Sequence, residues 1–194
     1  MCIRDRNREV ETLRIRYKPW ARKELEESKF YREHPEELIG KWKNEYARPE
    51  QPLFVELGCG KGGFISEKAS LHPENNYLAI DLVDPMLGLA KRKVEEVYSE
   101  ADREIDNIIL TRFDIERILL ILNKQDLVEG IYINFCNPWP RGKHHKKRLT
   151  YTRQLEHYKQ FLKPGGKIYF KTDDDNLFEE SIHYFEDTEF KIEK

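Results

Sequence analysis

The sequence predicts an α/β fold: a mostly parallel sheet covered by helices on both faces. Three observations predict it. Short apolar segments alternate with helical ones from residue 53 onward, a glycine-rich turn follows the first apolar segment, and proline or glycine marks several junctions. The 194 residues suit about one domain at about 150 residues each. Crossovers between the parallel strands are expected to be right-handed.

Residues 7–50 carry charge interleaved with aromatic residues and no strand pattern. Within them, residues 35–47 read as a short helix with Leu38, Ile39, Trp42 and Tyr46 on one face, closed by Pro49 and Pro52. Residues 53–57 read as the first strand, running through the glycine turn 58–63 into a helix that reaches about residue 71. Residues 77–81 form the second strand, and Pro85 opens a helix to about residue 101, proline being favourable in the first turn. A strand at 108–112 and a helix at 115–122 follow, then a strand at 131–135. A helix over 150–162 ends at Pro164-Gly165-Gly166, before a strand at 167–171 and a helix at 176–185.

Composition narrows the function classes. Charged residues at 36% and hydrophobic residues at 39% make a globular chain, not a disordered one. Net charge is −2, from 34 Lys and Arg against 36 Asp and Glu, which excludes a globally basic nucleic-acid coat but leaves room for a local basic patch. No apolar run approaches the ~20 residues of a membrane helix, and no signal-peptide pattern opens the chain. Three widely spaced cysteines make neither a disulfide framework nor a zinc knuckle. A cytoplasmic protein away from membranes is expected.

The two ends stand apart. Met1-Cys2-Ile3-Arg4-Asp5-Arg6 reads as a non-native scar. Residues 7–50 then form a basic arm and short helix, in which Arg8, Arg14 and Arg16 are candidate phosphate contacts, and residues 51–194 form the main domain. Alternating apolar and charged residues at 190–194 read as a strand just beginning, so the last strands are expected to be incomplete.

In such a sheet the ligand lies beyond the carboxyl ends of the strands, where the strand order reverses. The residues just after each strand are therefore the candidates. Gly58, Gly60 and Gly63 fit the spacing of a dinucleotide fingerprint, so the glycines alone leave the ligand open. Glu56, two places earlier, puts negative charge beside the turn and suits a cationic ligand better than a pyrophosphate. Asp81 is placed to accept from ribose hydroxyls, or to cap a helix. Asp114 is placed to accept from an adenine amino group, or to cap the helix after it. Asn134-Phe135-Cys136-Asn137-Pro138-Trp139-Pro140 reads as a rigid platform on which a base can stack, against Phe135 or Trp139.

The next eight residues hold five lysines or arginines, and no acid occurs from Pro140 to Arg153. Lys143, His144, Lys146, Lys147 and Arg148 are the candidate RNA phosphate contacts. Adjacent histidines without a Cys or carboxylate at ligand spacing give no metal site. Asp173, Asp174 and Asp175 either face a divalent metal or divide between substrate and helix cap; the second is favoured. Cys59 and Cys136 lie near the mouth without an obvious base.

Taken together, these motifs resemble the bacterial tRNA (guanine-N7-)-methyltransferase family over about residues 7–194. Val55-Glu56-Leu57-Gly58-Cys59-Gly60 is similar to its S-adenosylmethionine loop, a motif shared with many methyltransferases. More specific are the Asn134-Phe135-Cys136-Asn137-Pro138-Trp139-Pro140 segment running into Arg141 to Leu149, and Lys171-Thr172-Asp173 followed by Leu177-Phe178. The resemblance implies a Rossmann-like class I methyltransferase that methylates N7 of a guanosine in the variable loop of tRNA. It implies S-adenosylmethionine held by Glu56, Gly58, Gly60, Asp81, Asp114 and Asn137, substrate contacts from Arg141 and Asp173, and catalytic roles for Asn137 and Asp173.

Two departures matter. The family commonly has Asp where this chain has Asn137, and its late Thr-x-x-Glu motif does not occur in residues 186–194. They imply a less stable and less active chain, and support an alternative: a fragment that binds tRNA without transferring methyl. A dehydrogenase is disfavoured by Glu56 and the basic loop, and a methyltransferase for another substrate by that loop. No obligatory protein partner is implied, and the chain is expected to be a monomer or homodimer.

Overall fold

A computed structural model of the protein describes residues 18–193. The terminal hexapeptide and Arg8, Arg14 and Arg16 lie outside the described residues.

Six strands form one sheet: β1 (Tyr31–Arg32), β2 (Leu53–Leu57), β3 (Asn76–Asp81), β4 (Ile108–Arg112), β5 (Val128–Asn134) and β6 (Leu162–Lys171). Their order is β1-β4-β3-β2-β5-β6, and every pairing is parallel. The chain leaves β2 towards β3 and β4, then returns to its other side for β5 and β6. The crevice between the carboxyl ends of β2 and β5 is therefore the switch point at which α/β folds bind ligands.

The helices are α1 (Pro19–Glu26), α2 (Gly63–Leu71), α3 (Asp84–Glu100), α4 (Thr152–Lys159) and α5 (Asp175–Asp187). Side chains alternate across each strand, so one sheet feeds two apolar layers. Tyr77, Ala79, Ile108 and Leu110 meet Leu25 of α1, Ile65 and Ala69 of α2, and Leu87, Ala90 and Val94 of α3. On the other face Val55, Leu57, Leu78, Ile80, Ile131 and Ile133 meet Ile118, Ile121, Leu155 and Tyr158. Both layers are buried, as a parallel sheet requires.

Several elements differ from the sequence expectation. Residues 18–50 do not stand apart as an arm. Tyr31 and Arg32 add β1 to the sheet beside β4, and Trp42 is fully buried in the core. The helix expected over 35–47 is two short 3₁₀ turns, Pro35–Leu38 and Trp42–Glu45. Gly40 separates them at φ +73°, a left-handed conformation that glycine adopts without strain. The carboxylate of buried Asp126 fixes this bend by accepting from the backbone N–H groups of Gly40, Trp42 and Asn123 at 3.0, 3.3 and 2.9 Å. The Trp42 indole N–H then donates to the Ile121 carbonyl at 2.7 Å. Sequence patterning cannot anticipate a bend held by a carboxylate 84 residues away.

The helix expected at 115–122 is a 3₁₀ helix, Ile115–Leu120, with Arg117 outside helical geometry. The last strand begins earlier than expected, at Leu162, and passes Gly165 at φ +79° with a shift of register against β5. No strand forms over residues 190–193. Glu189 turns the chain at φ +61°, and the Phe190 N–H bonds back to the Phe185 carbonyl at 3.1 Å. Phe190 packs edge-on against the Phe185 ring, so the alternation there reflects one inward aromatic and not a pairing strand.

Candidate active site

Every motif selected from the described part of the sequence reaches the carboxyl end of the sheet, or the loop beside it, but the residues divide into different jobs. The turn after β2 is held by Gly58 and Cys59, whose N–H groups both donate to the Ile80 carbonyl at 2.9 and 3.0 Å. Gly62 is the position where glycine is indispensable. Its φ is +75°, and a Cβ there would meet the Ala90 Cβ and Cα at 2.8 and 2.9 Å. Gly63, third in the dinucleotide spacing, opens α2 with nothing within 4 Å of a Cβ. The close helix approach that the fingerprint assigns to its third glycine is thus made by another residue, against α3. Gly58 and Gly60 do make the tight turn, at φ +78° and +54°.

Glu56 is 2% exposed at the end of β2. Its Oε1 accepts from the Asn134 side-chain amide at 3.0 Å, while its buried Oε2 has no partner. Burial pushes its carboxyl up to about 8, against the lowering effect of the Asn134 bond, and the nearby Asp81 adds to the rise. A buried carboxylate oxygen without a donor is costly. A cationic donor would relieve that cost, so the residues present fit a ligand carrying an ammonium group. Asn134 opens the platform segment singled out in the sequence, but its pairing with Glu56 is not foreseen there; its only signal is its place at the end of a strand.

Asp81 accepts from the Gly60 N–H at 2.8 Å through Oδ2 and from the Val83 N–H at 3.0 Å through Oδ1. Each oxygen keeps a second lone pair for a hydroxyl. Of the two roles open to Asp114, the structure shows the cap: Oδ1 accepts from the Glu116 N–H at 3.0 Å. Asp174, and neither neighbour, caps α5 by accepting from the Leu177 N–H at 2.7 Å. Asp173 is exposed at the same turn. Among the described residues no group of three or more His, Cys, Asp or Glu is gathered to hold a metal.

The segment after β5 is strained. Phe135 and Trp139 adopt φ +50° and +45°, a region that bulky residues rarely occupy and that recurs at functional sites. Asn137 holds the turn by accepting from the Trp139 N–H at 3.0 Å. Phe135 is 56% exposed, with the Lys171 ammonium 5.3 Å from its ring centre. Trp139 is edged by His144, and the Lys147 ammonium lies 5.1 Å from its ring. Burial pushes the Cys136 thiol up to about 11 and the Cys59 thiol well above its usual range, so neither is a thiolate nucleophile at neutral pH.

The basic run folds as a 3₁₀ turn, Gly142–Lys147, that sorts its cations. Arg141, Lys143, Lys146 and Lys147 are exposed. His144 is partly exposed, and burial, then the neighbouring Lys143, Lys147 and Arg141, hold its imidazole below the usual range. Arg148 corrects the sequence expectation outright. It is fully buried, and its guanidinium is taken up by Pro138, Glu180, Asn176 and His145, so it is not available to a phosphate.

Comparison with known proteins agrees with this geometry. Residues 50–194 match the family model described as "Putative methyltransferase". The chain is 54% identical over 180 residues to the tRNA (guanine-N(7)-)-methyltransferase of Clostridium beijerinckii, covering 93% of this chain and 82% of that protein. The enzyme of the same name from Acetivibrio thermocellus is 46% identical over 180 residues, with the same coverage. Among solved structures, an antibiotic-related methyltransferase aligns with a TM-score of 0.53 at 17% identity, covering 74% of this chain and 71% of that one. The precorrin-6y C5,15-methyltransferase of Geobacter metallireducens aligns at 0.54 and 15% identity, covering 74% and 65%. These structural likenesses bear on the fold, which is that of Rossmann-like methyltransferases. The sequence likeness goes further: this chain belongs to the tRNA (guanine-N(7)-)-methyltransferase family.

Proposed function

We propose that the protein transfers a methyl group from S-adenosylmethionine to N7 of a guanosine in the variable loop of tRNA, in the cytoplasm. The observation that carries this reading is a juxtaposition at one sheet mouth. Glu56 buries an unpartnered carboxylate oxygen beside the glycine turn, and a loop with four exposed cations, Arg141, Lys143, Lys146 and Lys147, follows the next strand of the crevice. The first suits a cationic cofactor, and the second suits a polyanion.

The cofactor, when bound, supplies a methyl group activated on a sulfonium. Glu56 would receive its ammonium, Asp81 its ribose hydroxyls, and Asp114 its adenine amino group, with Gly58 and Gly60 keeping the backbone low beneath it. Guanine N7 carries a lone pair and no proton, so no residue must act as a base. What the chain must do is align N7 with the methyl carbon and tolerate the positive charge that arrives on the ring. Asp173, exposed at the end of β6, would face that charge. Asn137 and Arg141 would bound the guanosine.

The test is methyl transfer from labelled S-adenosylmethionine to unmodified tRNA, with the base mapped by chemical cleavage. Label at a variable-loop guanosine supports the reading. Tight tRNA binding without label favours the binding-only fragment.

Two further outcomes follow. Asn137→Ala removes the acceptor that holds the Trp139 turn. It is expected to lower kcat by about tenfold, the worth of one hydrogen bond of about 1.4 kcal/mol. Asn137→Asp keeps an acceptor and adds a charge, and should match or exceed the parent rate. An unchanged rate in the Ala variant removes Asn137 from the site. Binding of tRNA should also be steeply salt-dependent. Three phosphate contacts give a loss of roughly 30-fold between 50 and 200 mM salt, and Lys147→Ala should lower the log–log slope by about one. A flat salt response removes the loop as the RNA contact.

A further inference from the structure

The one cation of the basic run that turns inward does the most bonding. Arg148 has no exposed side-chain surface, rare for an arginine and costly unless its N–H groups are matched. They are matched on two sides. Towards the β5 loop, Nε donates to the Pro138 carbonyl at 2.8 Å. Towards α5, Nη1 donates to Glu180 Oε2 at 2.5 Å and Nη2 to Asn176 Oδ1 at 2.9 Å. Nη2 also lies 3.1 Å from His145 Nε2, whose Nδ1 faces Glu180 Oε2 at 3.1 Å. With Nε2 accepting from Arg148 and Nδ1–H donating to Glu180, the ring satisfies both contacts. The Tyr184 hydroxyl donates to the same Glu180 oxygen at 2.8 Å.

The two sides are the two banks of the site. Pro138 lies between Asn137 and Trp139, on the strained segment after β5. Asn176 and Glu180 lie on α5, which starts directly after Asp173 and its capping neighbour Asp174. The loop between the two banks carries four exposed, like-charged side chains, Arg141, Lys143, Lys146 and Lys147, whose mutual repulsion would loosen it if nothing held it.

We propose that Arg148 is a positioning residue, whose buried guanidinium fixes the width of the opening between the Asn137–Trp139 segment and Asp173 and so sets how the target base meets the methyl donor. The proposal rests on the methyltransferase reading above. It separates the basic run into an outward set that binds tRNA and an inward pair, His145 and Arg148, that sets geometry. Lysine cannot stand in, because a single ammonium has neither the planar fork nor enough N–H groups for four partners.

The test compares Arg148→Lys, Glu180→Gln and the double variant in the full chain. For Arg148→Lys, kcat for tRNA should fall 10- to 100-fold, as expected when reacting groups are misplaced by about an ångström. KM for tRNA should move less than threefold, and S-adenosylmethionine affinity should stay within twofold, which also shows that the variant is folded. Trypsin cleavage within residues 141–147 of the free protein should accelerate. The double variant should be no worse than Arg148→Lys alone, because both remove one network. The proposal is overturned if Arg148→Lys instead raises KM, lowers the salt slope by about one and combines additively with Glu180→Gln, the signature of a phosphate contact. Should Arg148→Lys lose cofactor binding, Glu180→Gln carries the test, with the same kcat loss in smaller measure; an unchanged kcat and cleavage rate there overturns the proposal. If the parent protein methylates no tRNA, the reading of function fails, while the cleavage rates still decide whether Arg148 holds the loop.

Discussion

Replacing Asp173 by Asn is expected to lower kcat by 10²- to 10³-fold, the usual loss when one preorganised group facing transition-state charge is removed. The reaction starts from a neutral base and a sulfonium, and ends with the positive charge on the guanine. A carboxylate near the ring therefore gains interaction as the methyl moves, which is the condition for acting on kcat and not only on binding. Asp173 is free for this role because Asp174 takes the helix cap and accepts from the Leu177 N–H. Asn at 173 keeps the size and loses the charge. Cofactor affinity should be unchanged, since Asp173 lies after β6 and Glu56 ends β2, with β5 between them. The measurement is single-turnover methyl transfer at saturating tRNA and cofactor. A loss below threefold removes Asp173 from the site. Asp174→Asn is the control: asparagine caps nearly as well as aspartate, so it should leave the rate close to the parent.

Much of this architecture is legible in the sequence because local pattern and global fold agree. The run Leu53-Phe54-Val55-Glu56-Leu57 followed by glycines can hardly be anything but a strand entering a turn, and the mouth residues follow from strand ends alone. What was not legible depends on contacts distant in sequence. Arg148 looks like the fifth cation of an exposed run. Nothing in residues 141–148 says that its partners lie 28 and 32 positions later. The same holds for β1, a pairing of only two residues that exists because β4 offers an edge. Asn134 is a third case, since its role appears only once β5 lies beside β2 and brings its amide to Glu56. Glycine spacing misled in the opposite direction. Gly63 fits a familiar motif, yet Gly62 is the residue pressed against α3, and only the packing of that helix reveals it.

Glu56 should make cofactor affinity depend on pH in a way that its substitution abolishes. Its carboxyl is held up to about 8 in the free protein, chiefly by burial. An unfolded chain ionises it near 4.5, so between that pH and about 8, where the unfolded state is charged and the folded state is not, its contribution to folding falls as pH rises. Its stability contribution is intact below about pH 4.5 and is lost progressively up to about pH 8, by roughly 5 kcal/mol at most. A ligand ammonium reverses the balance. It prefers the ionised form, which at pH 7 is only about a tenth of the free protein, so binding must expel a proton from most molecules. Affinity for S-adenosylmethionine should rise close to tenfold from pH 6 to 7, then level off and fall as the ligand's own amine deprotonates near pH 8. Glu56→Gln keeps a carbonyl for the Asn134 amide and removes the charge. It should bind the cofactor 10- to 100-fold more weakly, as for the loss of one charge-assisted hydrogen bond, and show no rising limb between pH 6 and 7. Yet it should melt at the same or a higher temperature than the parent at pH 8, because the buried charge is gone. Weaker binding together with undiminished stability distinguishes a carboxylate kept for a ligand from one kept for the fold. Calorimetric titration across pH, paired with thermal unfolding, measures both; parallel losses of affinity and stability in the Gln variant would assign Glu56 to the core alone.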